Sequence, residues 1–341
     1  MSSHLSLTRR TFASSTAAAA LVAAAGPAFI GTGAFAQGIA ADDWKKLIAL
    51  YQEAKKLGIN LPSMSEPSSG SAKFYEIIPA LVDFIDHLED AKLSGEAAKS
   101  RDFILARARG MLAAINANER HPRQGALKGD DSLLGLLFAT PAWADISEER
   151  YLKYRDGYIQ LFNTCVVNPD KKSNVAWYVD KLSSDKYRSA YQQLEDVVCV
   201  PWYFIGVIHA LETSFNFQSH LHNGDPLSHK TVHVPAGRPV PWLPPSDWQS
   251  SAKDALQIEG YVNHTDWNLA KLLYRLEAYN GMRSREEHGI NSPYLWSFSN
   301  HYTSGKFVAD NVWSSTAVSQ QCGAAVMIKE LVNRGLVVPV A

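Results

Sequence analysis

Three residues within one short stretch have the types needed for acid–base chemistry. They are Glu212, Asp225 and Thr231 in "IGVIHALETSFNFQSHLHNGDPLSHKT", residues 205–231. Glu212 follows Ile205 by seven positions and Ile208 by four. On a helix it therefore shares their apolar side. Desolvation disfavours the carboxylate and raises a carboxyl pKa, so this Glu is expected to hold a proton near neutral pH. A protonated carboxyl beside a cleft can donate its proton to a leaving oxygen. Asp225 sits in a polar Asn-Gly-Asp turn, where a carboxylate stays ionised. Two carboxyls in contrasting surroundings form the pair that glycoside cleavage uses. Thr231 then falls on a predicted hairpin, in reach of a water. Each type also has an ordinary use: Glu as a solvated helix end, Asp as a turn residue, Thr as a strand residue.

The elements that must position these groups read mostly as helices. Pro201 starts the helix that carries Trp202, Ile205, Ile208 and Leu211 at helical spacing and ends at Glu212. From Leu221 to Trp242 the pattern changes to a turn, then short extended pieces with Val232 and Val234, which predicts a small hairpin. Helices are predicted over Val175–Leu182, Ser184–Leu194, Trp267–Tyr279 and Thr316–Asn333. Ser147 and Ser246 are predicted as N-caps of two more, the second with Trp248 early inside.

Upstream, Trp44–Leu57 reads as a helix. So do the segments carrying Ile77, Ile78, Leu81, Val82, Ile85 and Leu88, and Ile104, Leu105, Ala108, Leu112 and Ile115. "LPSMSEPSSGSA" and "NERHPRQGALKGDDS" read as loop and linker. The expected division is an export signal at 1–36, a small helical region of unknown role at 37–145, and a catalytic domain at 146–341.

The 341 residues are 46% hydrophobic and 20% charged, with a net charge of −1, enough for a sizeable core and without the basic excess that phosphate binding needs. Nucleic acid is therefore not expected as a partner. Arg9 and Arg10 precede a mild Ala-rich and Gly-rich stretch ending "AFAQ", in which Ala34 and Ala36 fit small-x-small cleavage. That pattern predicts twin-arginine export to the periplasm, a mature start near Gln37, and no membrane span after it. Cys165, Cys199 and Cys322 allow one disulfide and leave one thiol over, without identifying the pair.

The stretch "WYFIGVIHALETSFNF" resembles the Glu-Ser-x-Phe core of the lysozyme-like superfamily, with Thr213 in place of that Ser. In that superfamily, lytic transglycosylases and goose-type lysozymes carry a sole essential Glu there. Phage-type lysozymes add an Asp and a Thr on a hairpin. The Asp225-to-Thr231 step is similar to theirs, with a longer gap from Glu to Asp. "HLHNGDPLSHKTVHVPAGRP", "LYRLEAYNG" and "INSPYLWSFSNHYTSGKFVAD" extend the resemblance to bacterial lysozyme-family proteins over roughly residues 148–331.

The resemblance implies a mainly α, lysozyme-like helical domain with a short β-hairpin after the catalytic helix. It also implies cleavage of the β-1,4 bond between N-acetylmuramic acid and N-acetylglucosamine in peptidoglycan, without cofactor or metal. Expected catalytic residues are Glu212, Asp225 and Thr231. Expected substrate-binding residues are Asn216, His222, Asn223, Tyr279, Asn280 and Tyr294. Hydrolysis and anhydro-product transglycosylation both stay open, as does the oligomeric state. Two rival readings are kept. A zinc-dependent cell-wall hydrolase would use the crowded histidines His209, His220, His222, His229 and His233, although no HExxH occurs. A non-catalytic wall-binding protein would keep the shape alone. Tyr274, Tyr294, Trp296 and Tyr302 are available to stack on sugars, although core packing is their commoner use.

Overall fold

The computed structural model describes residues 32–64, 74–119, 148–233, 235–241, 247–309 and 311–338. The predicted signal segment up to residue 31, the linker at 120–147 with Ser147, Val234 and Ser246 lie outside the described residues.

The chain begins with three helices that pack on one another: α1 (Thr32–Lys56), α2 (Phe74–Asp90) and α3 (Gly95–Glu119). The expected cleavage point before Gln37 falls within α1. The apolar positions picked out by helical spacing on α2 and α3 are all buried, so amphipathicity places these helices correctly. Charged groups join this unit to the rest. Lys181 Nζ lies 2.7 Å from both Asp83 and Asp86. Lys186 pairs with Asp86 and, at 2.8 Å, with Glu89. The Tyr187 hydroxyl donates to Asp86 at 3.0 Å.

The second part contains α4 (Glu148–Asn163), α5 (Lys172–Ser183), α6 (Asp185–Val198), α7 (Trp202–Thr213), α8 (Trp248–Ile258), α9 (Leu269–Asn280), the short α10 (Arg283–Glu286) and α11 (Pro293–Trp296), and α12 (Ala324–Asn333). Every residue of α7 except Tyr203 is buried, Gly206 included. A helix covered on all sides is a core helix. It packs against α3, α5, α6, α9 and α12. Gly206 makes part of that approach possible: a Cβ there would lie 2.7 Å from Leu182 Cδ2 and 2.8 Å from Tyr191 Cε2. Among the described residues no single helix is long and apolar enough to cross a membrane.

Three local expectations need correction. The strand pair is not in 221–242. It is β1 (Lys306–Ala309) with β2 (Val312–Ser314), antiparallel, turning through Asn311 at φ 59°. Among its described residues the 221–242 segment has turns, bends and one isolated bridge, Ser219–Pro226; the Val232 and His233 amides that a strand would offer a neighbour go to the Asp225 side chain. The cap of α8 is Asp247, which accepts from the Ser250 amide. The last helix begins at Ala324, not Thr316. Gly323 precedes it so tightly that a Cβ would lie 2.3 Å from the Leu295 carbonyl oxygen.

Candidate functional site

Glu212 sits in the last turn of α7, 7% exposed. A helix end leaves carbonyls without intrahelical partners, and a buried end must find others. Here Ser214 and Phe215 both adopt left-handed backbone, φ 49° and 65°. That costs non-glycine residues about 1–2 kcal/mol each. The reversal folds the Ser214 amide back onto Ala210 O and His209 O. The Thr213 hydroxyl also donates to His209 O, at 2.8 Å. The carbonyls on either side of Glu212 are met by side-chain amides from distant parts of the chain. Asn116 Nδ2 of α3 donates to Thr213 O at 2.9 Å, and Gln321 Nε2 donates to Leu211 O at 2.9 Å. The Ser214 hydroxyl donates to Asn116 Oδ1 at 2.6 Å.

The Glu212 carboxyl itself accepts from the Tyr294 hydroxyl, 3.1 Å from Oε1. Tyr294 is on α11, which Pro293 starts at the first helical position, and is buried. Its hydroxyl, expected to reach sugar, is bonded to the carboxyl. Tyr274, Trp296 and Tyr302 are also buried, which is the packing use.

Asp225 lies in its polar turn with both carboxylate oxygens bonded within the loop. One oxygen accepts from the Val232 and His233 amides at 2.8 and 3.0 Å; the other accepts from His233 Nδ1 at 2.7 Å. Burial pushes its pKa up, but the His233 amide, the His233 ring and the Val232 amide together outweigh that and hold it down at about 2. It is ionised, as its polar turn predicted, and its lone pairs close a loop. Thr231 belongs to the same loop: its hydroxyl donates to Pro235 O and accepts from the Arg238 amide. Asn223 accepts from the Asp225 amide and donates to His233 O. Asn216 accepts from the Gln218 amide and donates to the Ser219 hydroxyl.

The remaining expected residues divide in the same way. His222 Nε2 meets Asp254 Oδ2 at 2.7 Å, where Arg238 also binds. The Tyr279 hydroxyl donates to Leu221 O and ties the loop to α9. Asn280 is 2% exposed and its Oδ1 has no hydrogen-bond partner in the structure. Asn280 thus has a buried amide acceptor left over.

The histidines go to separate partners. His209 Nδ1 meets the Tyr191 hydroxyl at 2.9 Å; His220 meets the Ser251 hydroxyl and His229 O; His229 meets Lys230 O. Among the described residues no three His, Cys, Asp or Glu side chains are grouped to hold a metal ion. Cys165, Cys199 and Cys322 are all free thiols, the first and last buried.

Comparison with known proteins finds no match: no family profile, no curated protein and no solved structure resembles the chain closely enough to count. Two residues of this site, Asn116 and Gln321, carry no signal in the sequence. Each is a single amide in ordinary helical or polar surroundings.

Proposed function

We propose that the protein cleaves the glycan strands of peptidoglycan, with Glu212 as general acid. The observation that carries this is the setting of Glu212: one carboxyl at the end of a core helix, oriented by Tyr294, next to a left-handed reversal. Such a group is positioned to protonate the bridging glycosidic oxygen as the bond breaks. The resemblance of "HALETSFNF" to the superfamily core supports the same assignment. Export behind Arg9 and Arg10 would bring the enzyme to the periplasm, where this substrate lies.

A specific observation favours one of the two routes. The three donors on Asp225 occupy both of its oxygens, which suits a loop clamp better than a base that activates water. Glu212 then works alone. After giving its proton to the leaving oxygen, it takes one back from the muramic acid's own hydroxyl. That hydroxyl attacks the anomeric carbon and closes an anhydro ring. Proton and bond counts balance without a water. Tyr294 is a positioning residue in this scheme, and Asn280 supplies an acceptor for the sugar's N–H or hydroxyl groups.

The test is mass spectrometry of purified peptidoglycan digested with wild type and Glu212→Gln. Anhydro muropeptides from wild type, lowered about 10²–10⁴-fold in the variant, are expected. Reducing muropeptides would overturn the single-carboxyl route. No product from wild type would overturn the glycosidase reading.

A further inference from the structure

The helical region described over residues 32–64 and 74–119 reaches the end of the helix that carries Glu212. Asn116 lies in the last turn of α3 and is 5% exposed. Its amide faces Thr213 O and its carbonyl accepts from the Ser214 hydroxyl. Thr213 immediately follows Glu212, and Ser214 is the first of the two left-handed residues. On the other side Gln321, 2% exposed, donates to Leu211 O, the residue just before Glu212. Two buried amides, one from upstream and one from downstream of Glu212 in the sequence, thus bracket the proposed acid.

Resting on the reading of Glu212 as the acid, we infer that Asn116 and Gln321 are positioning residues for it, and that the N-terminal helical region is an intramolecular part of the active site. The physical need is clear from the local backbone. Two consecutive non-glycine residues in the left-handed region are unfavourable unless their surroundings fix them. The last turn of a helix also frays when its carbonyls lack partners. Asn116 addresses both at once, because it bonds to the carbonyl before the reversal and to the side chain within it. Small errors in placing a reacting group have large effects on rate. Neither amide touches the carboxyl, so their loss should act on turnover through geometry and leave sugar affinity nearly unchanged.

The remaining contacts between the two parts supply a control. Lys186, with Asp86 and Glu89, holds α2 to α6 through ion pairs that include no atom of the Glu212 turn; Tyr187, which also binds Asp86, packs on Phe215 and stays in place when Lys186 is removed. Lys186→Ala loosens docking but leaves the clamp.

The test compares wild type, Asn116→Ala, Gln321→Ala and Lys186→Ala as full chains. Steady-state cleavage of purified peptidoglycan is measured along with hydrogen exchange at the amides of Ser214 and Asn216. The expected result is a kcat about tenfold lower in each amide variant, with KM within about twofold, faster exchange at those amides, and Lys186→Ala close to wild type in kcat. Partial recovery of kcat in Asn116→Gln, which keeps both polar ends, would support the clamp further. A kcat within twofold of wild type in folded Asn116→Ala would overturn the inference. So would an equal loss in Lys186→Ala, which would make the effect one of docking alone. If Asn116→Ala does not fold, Asn116→Ser carries the same measurements. Exchange is independent of activity. If wild type cleaves nothing, the glycosidase reading fails, while unchanged exchange at Ser214 and Asn216 overturns the clamp by itself.

Discussion

His209 lies three residues before Glu212, in the same buried helix, and is fully covered. Its ring packs 4.6 Å from Phe217 and 4.7 Å from Trp248, centroid to centroid, and its Nδ1 meets the Tyr191 hydroxyl. Burial among these rings lowers its pKa to about 3, against a smaller upward pull from the Asn216 backbone. In the unfolded chain a histidine titrates near 6.5. Between those values the unfolded state binds a proton that the folded state refuses. Stability from this group is therefore complete above about pH 6.5 and falls as the pH is lowered, by roughly 1.4 kcal/mol per unit until the pH nears 3. At pH 5 the loss is about 2 kcal/mol. The perturbation that isolates it is His209→Gln, which has no titrating ring and retains polar groups for Tyr191. Urea unfolding of both proteins at pH 7 and pH 5 gives four free energies. The wild type's advantage over the variant should shrink by about 2 kcal/mol between the two pH values. A change below about 0.5 kcal/mol would show that His209 titrates normally in the folded protein, and would refute the burial argument for this end of the helix.

Asp225 gives a prediction with two readouts. Asp225→Asn should destabilise the protein by about 1–2 kcal/mol near neutral pH, since His233 is exposed and its part is screened; anhydro-product formation should stay within about tenfold of wild type. The wild-type contribution has the sign of a depressed carboxylate pKa: present above about pH 4 and lost as the pH falls towards 2. A loss of activity comparable to that of Glu212→Gln would restore Asp225 as a catalytic group. Gly206→Ala should cost roughly 1–3 kcal/mol in urea unfolding, because its Cβ would overlap Leu182 and Tyr191 in a packed core; a neutral result would mean that α7 is less closely packed than the distances indicate.

What could be read from the sequence was periodic. The helical spacing on α2, α3 and α7 carries over to burial almost residue by residue, because apolar area is what these helices bring to the core. The hairpin was misplaced for a physical reason. Residues 231–238 have valines and a turn, yet the Asp225 carboxylate takes the amides of Val232 and His233 that a strand would have given to a neighbour. The true pair, "KFVADNVWS", alternates only briefly and has an irregular register between Phe307 and Ala309. Glu212 was legible because a lone carboxyl in an apolar run is conspicuous. The bond from Tyr294 to Glu212 was not legible, since the hydroxyl's partner depends on a packing 82 positions away. Asn116 and Gln321 were not legible at all: their meaning lies in carbonyls that only the folded helix leaves open.

The two amides also bear on when in its life the protein acquires its site. Asn116 and Thr213 are separated by 97 positions, and Leu211 and Gln321 by 110. Contacts so far apart along the chain close late in folding, after long loops have been ordered. During synthesis the carboxyl emerges well before Gln321 does. A chain cut short upstream of residue 321 thus has Glu212 and most of the core helices, but lacks one of the two amides beside it. The end of that helix is finished only when residues 116 to 321 have all been made.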